Sequence, residues 1–194
     1  SFLILLLLAL DVGHSQRHYV GLGFGASLPQ NEYASKSLAG NGGYALPGFV
    51  VDFSGAYVFD YNLGIAATIT FSSNTPDRNR NREVIVSANP GTPSPEVNVE
   101  MGNWLYSNLM VGPILTIPVW KLYFDLRGVA GFSFLMSPPL EIILISGQDE
   151  YFEKRSGQTI NFAYMLGTGI RINVKTSYAI RLSADYFRSK PSLT

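Results

Sequence analysis

Cysteine is absent from all 194 residues. That excludes disulfides, a thiol nucleophile, a cysteine metal cluster and lipid anchoring through a leader cysteine. Charge is scarce as well: Asp, Glu, Lys and Arg make up 14%, against about a quarter in soluble globular chains. The charges cancel, 14 basic against 14 acidic, so no electrostatic footprint for nucleic acid exists and no basic run could track phosphates. Histidine occurs only as His14 and His18. The longest apolar run, the nine residues Phe2 to Leu10, is too short to cross a bilayer as a helix. Beyond it no useful helix-period segment is present. What the chain does have is 13% aromatic residues and 19 glycines.

The apolar run at the start is followed by Gly13, Ser15 and Gln16, the arrangement of a secretory signal core and its small-residue cleavage site. Such leaders open with Met and a basic stretch, whereas this one opens at Ser1. Residues 1–16 are therefore read as a partial signal peptide and 17–194 as the domain it exports.

From there the dominant pattern is alternation with period two, the mark of strands with unlike faces. Seven segments carry it. Val20, Leu22 and Phe24 oppose Tyr19, Gly21, Gly23 and Gly25. Phe49, Val51, Phe53 and Tyr57 oppose Asp52 and Ser54. Leu63, Ile65, Ile69 and Phe71 oppose Gly64, Thr68 and Thr70. Leu105, Leu109, Val111 and Leu115 oppose Tyr106, Asn108, Gly112 and Thr116, with Pro113 expected to disturb the ladder. Leu122, Phe124, Leu126, Phe132 and Phe134 oppose Tyr123, Asp125, Arg127 and Gly131. Ile160, Phe162, Leu166, Ile170 and Ile172 oppose Gly167, Gly169 and Arg171. Tyr178, Ile180 and Leu182 oppose Arg181, Ser183 and Asp185.

Short turns near Asp60–Asn62, Val119–Lys121 and Lys175–Ser177 alternate with long polar stretches at Pro29–Gly48, Ser73–Asn103 and Ser137–Gln158. Tight turns at one end and long loops at the other predict an antiparallel up-and-down transmembrane β-barrel of the all-β class. Bacterial single-chain barrels have even strand numbers. Seven strands therefore imply a parent barrel of eight, its last strand lying beyond Thr194.

The two faces decide which side is outside. Glycines and opposed charges (Asp52, Asp125, Asp185, Arg127, Arg171 and Arg181) suit a crowded lumen. The other face is large, apolar and uncharged mid-strand. On a soluble barrel it would be an aggregation hazard; facing lipid it is required. Aromatics close to strand ends form an expected interfacial girdle. Tyr57, Phe59, Trp120, Tyr123 and Tyr178 fall toward the short turns, and Phe71, Trp104, Tyr106, Phe134 and Tyr186 toward the loops.

Four stretches carry a resemblance: Gly21 to Gly25, Gly112 to Pro118, Gly128 to Phe132, and Leu166 to Ile170. In this order and spacing, residues 17–190 resemble the outer-membrane β-barrel proteins grouped as a porin family, small eight-stranded relatives of outer membrane protein A and outer membrane protein X. The chain departs from them in lacking the closing strand.

That resemblance implies the outer membrane of a Gram-negative bacterium, with lipid and lipopolysaccharide as surroundings. A porin label implies conduction, but eight strands enclose only enough space for side chains to fill. Three inward acids and three inward bases predict a plugged lumen. A structural or surface-interaction barrel, its external loops meeting a ligand or an envelope protein, is thus the leading expectation. A narrow porin-like channel for small solutes is the alternative. No enzyme is expected, since His14 sits in the signal and His18 at the short-turn end, with no external base for rim chemistry. No cofactor or metal is assigned. Asp149, Glu150 and Glu153 lack EF-hand spacing, and Arg78, Arg80 and Arg82 fit a solvated loop better than a phosphate grip. A monomer is expected.

Overall fold

β-branched and aromatic residues at every second position favour pleated strands, and this is what the chain forms. The computed structural model describes residues 2–3, 18–30, 34, 44–77, 79, 83, 97–137, 140–146, 149–155, 157–175 and 178–189. In chain order the strands are β1 (Phe2–Leu3), β2 (Tyr19–Ser27), β3 (Gly48–Val58), β4 (Leu63–Asn74), β5 (Val97–Met101), β6 (Trp104–Val119), β7 (Leu122–Met136), β8 (Leu140–Ser146), β9 (Asp149–Arg155), β10 (Gln158–Lys175) and β11 (Tyr178–Ser189).

The seven long alternating segments are β2, β3, β4, β6, β7, β10 and β11. Each pairs antiparallel with its neighbour in the order β11–β10–β7–β6–β4–β3–β2. The sheet curls into an open half-barrel with β2 at one edge. At the other, β11 pairs with the two residues of β1, Phe2 opposite Tyr186 and Leu3 opposite Asp185. The rest of the predicted signal segment lies outside the described residues, as do residues 190–194.

Tight connections join β3 to β4, β6 to β7 and β10 to β11. In the first, Tyr61 and Asn62 both take φ of 67°, the left-handed conformation that matches hairpin turns to strand twist. At the opposite end the β4–β6 connection contains β5, and the β7–β10 connection contains β8 and β9. These three build a second sheet, in the order β5–β8–β9. The sequence pattern makes those stretches polar loops; the structure differs there because strands of five and seven residues carry too few alternations to stand out. Arg78, Arg80 and Arg82 lie outside the described residues, while Asp149, Glu150 and Glu153 fall within β9.

Pro113 does interrupt its ladder. Val111 pairs with Ala130 and Ile114 with Arg127, but Gly112 and Pro113 are skipped on the β7 side. The register is the same on both sides of the gap, so the break is local and adds no residue. It follows from the missing N–H of proline.

Candidate functional site

Alternation sends one set of residues inward along every strand of the half-barrel. Asp52, Asp125, Arg127, Arg171, Arg181 and Asp185 all lie on this inner wall and are buried. Phe53, Ile69, Phe132 and Ile170 are on the outer face, from 37% exposed at Ile170 to 58% at Phe132.

The inner charges are joined by specific contacts. Arg127 on β7 holds Asp185 on β11 with two bonds, Nε to Oδ1 at 3.0 Å and Nη2 to Oδ2 at 2.7 Å. Strand β10 runs between them, and the residue opposite both is Gly167. The pair can meet over β10 because that position has no side chain; a Cβ there would run into Asp185 Oδ1. Here the glycine is required by the salt bridge passing above it.

Arg181 does a different job. From β11 it reaches across to the opposite edge of the sheet, where Nη1 donates to Tyr19 Oη at 2.8 Å and Nη2 to Asp52 Oδ2 at 3.1 Å. Ser54 Oγ accepts from the same Nη2, and Thr68 donates to Asp52. Side chains thus connect the two sides of the sheet, which no strand pairing joins among the described residues. Arg171 stands beside Arg181 in register, its guanidinium 4.5 Å from the Tyr19 ring centroid and 5.0 Å from that of Tyr123. Its acidic partner Asp125 is 3.7 Å away and accepts instead from Thr116 at 2.7 Å. The arrangement is three acids against three bases, with one tight pair, one crossing pair and one loose pair.

Tyr19 joins this cluster, while the sequence pattern shows only that it shares a face with three glycines. The inner wall is also less polar than its glycines imply. Tyr19, Ala56, Ala66, Met110, Ile114, Val129 and Met165 form a buried apolar cluster, with Phe187 packed against it. The seven members of the cluster come from six strands and converge, so the inner face carries apolar packing beside its charges.

The aromatic girdle divides. Tyr57, Phe59, Phe71, Phe134 and Tyr178 are exposed on the outer face, Trp120 protrudes from its turn, and Tyr186 is outward and half-buried. Trp104, Tyr106 and Tyr123 depart from the expected girdle and stand on the inner side of their strands. Tyr106 meets Phe187 edge-on at 6.2 Å, and Tyr123 carries Arg171 over its ring. Parity assigned them inward, and nearness to a strand end does not override parity.

His18 marks the short-turn rim. Its ring stacks on Tyr57 at 4.2 Å, and its Nδ1 accepts the Val58 N–H at 3.1 Å. Both contacts hold the ring against the end of β3. At the loop rim, buried Asn74 accepts from Ser27 Oγ at 3.0 Å and donates to the Leu46 carbonyl at 2.9 Å, tying the first two long connections together. Comparison with family models, curated proteins and solved structures finds no match.

Proposed function

We propose that this chain is the membrane-spanning part of a Gram-negative outer-membrane protein, related to the small porin-family barrels, exported by a signal peptide and closed by an eighth strand. Its lumen is plugged and its work is done at the loop end, as a structural or surface-interaction barrel amid lipopolysaccharide. The observation that carries this reading is the inverted distribution of side chains. Val20, Phe24, Phe49, Phe53, Leu109, Val111, Phe132, Phe162 and Leu166 are exposed, while three arginines and three aspartates are buried. Water would not tolerate so large an apolar exterior, and lipid demands one.

A filled interior does not conduct. Planar-bilayer recordings on the refolded full-length protein should be electrically silent at potentials where open porins give steady steps. One observation favours the second reading, a narrow channel: the Arg171–Asp125 pair is loose, and Arg171 Nε and Nη2 have no protein hydrogen-bond partner. Discrete conductance that changes on Asp125→Asn would establish that channel and end the plugged reading.

A further inference from the structure

The sheet built from the long connections has an unused edge. β9 pairs with β8 along its whole length, from Leu140 opposite Arg155 to Ser146 opposite Asp149. On its other side no strand pairs with it among the described residues. Such an edge offers a free row of backbone donors and acceptors to another strand.

The order of residues along that edge is unusual. Asp149-Glu150-Tyr151-Phe152-Glu153-Lys154-Arg155 is acidic at its start and basic at its end, with Tyr151, Phe152 and Glu153 between and Phe152 at the centre. We propose that β9 pairs antiparallel with β9 of a second copy of this chain, centred on Phe152, joining the two small sheets into one of six strands. Asp149 of each copy then stands opposite Arg155 of the other, and Glu150 opposite Lys154. Four opposite-charge pairs form and no like pair. Cross-strand neighbours of opposite charge stabilise a ladder, and like neighbours weaken it.

Competing arrangements are poorer. A slip of one residue toward the start of the strand halves the favourable pairs and sets Glu150 against Glu153. The opposite slip also halves them, leaving only Glu150 opposite Arg155. Parallel in-register stacking, the route to open-ended fibres, places every charge against its like. The edge therefore selects a closed two-fold pair. From the sequence alone a monomer is expected; the proposed pairing at this strand edge departs from it. This inference names the partner for the proposed loop-end role. It rests on that reading only in requiring the loop end to stand clear of the membrane.

The absence of native cysteine makes the test clean. Phe152→Cys puts one thiol per copy on the two-fold centre, where opposed Cα atoms are about 4.5–5.5 Å apart, within disulfide reach. Full-length protein in dilute phospholipid vesicles, mildly oxidised, should give a covalent dimer on a non-reducing gel. Asp149→Cys alone should stay monomeric, and mixed with Arg155→Cys should crosslink. In the Phe152→Cys background, Asp149→Lys with Glu150→Lys should abolish the dimer, and adding Lys154→Glu with Arg155→Glu should restore it. Phe152→Cys crosslinking no better than Asp149→Cys, or indifference to charge reversal, would overturn the proposal. Vesicle flotation of the same samples reports membrane insertion separately, so failure of the dimer is distinguishable from failure of the membrane reading.

Discussion

Replacing Arg127 by alanine should remove about 3–5 kcal/mol of folding stability, because it strands an unpaired buried carboxylate. Asp185 has 0% of its side chain exposed and Arg127 5%, so no solvent is at hand to replace the missing partner. Asp185→Ala should cost a similar amount by stranding the guanidinium. The double variant Arg127→Met with Asp185→Leu leaves no orphan charge, and should recover most of the loss. Urea unfolding in vesicles, followed by fluorescence of Trp104 and Trp120, measures all three. Single variants costing under about 1 kcal/mol, the range of solvated pairs, would show that these charges are not sealed inside.

The second large effect belongs to the outer face. Val111 and Leu166 lie near the middle of β6 and β10, point outward and are each 57% exposed. Val174, 59% exposed, lies one residue from the end of β10. In water, arginine at any of the three would change stability by no more than about 0.5 kcal/mol. With lipid outside, Val111→Arg and Leu166→Arg should each cost about 2–4 kcal/mol, and Val174→Arg about 0–1. The gradient with depth, at equal exposure, is the signature. Equal and small effects at all three positions would place the apolar face in water. The same unfolding titration reads them.

Much of this architecture was legible because period two is rigid. Once one residue of a strand is placed, every other follows, and so all six inward charges could be named from their shared face with glycine. Parity outweighs both nearness to a strand end and side-chain polarity as a guide to which face a residue takes. Position near a strand end suggests the girdle for Tyr106 and Tyr123, although their own strands put them inside. Met110, Ile114, Val129 and Met165 are apolar yet face inward, so apolar character alone does not mark the outer face. A narrow barrel needs apolar filler inside as well. The role of Gly167 depends on register across three strands, since only pairing reveals that Arg127 and Asp185 flank it. The β5–β8–β9 sheet joins segments from two separate connections, and period alone has no means of pairing them.

Attaching a nitroxide to single cysteines at Phe53, Ile69, Phe132 and Ile170, with Asn103 as a water-exposed reference, tests what surrounds the apolar face. In refolded vesicles the account predicts frequent collisions with oxygen, which dissolves in lipid, and few with a water-soluble nickel complex at all four strand positions. Nickel accessibility there equal to that at Asn103 would contradict it.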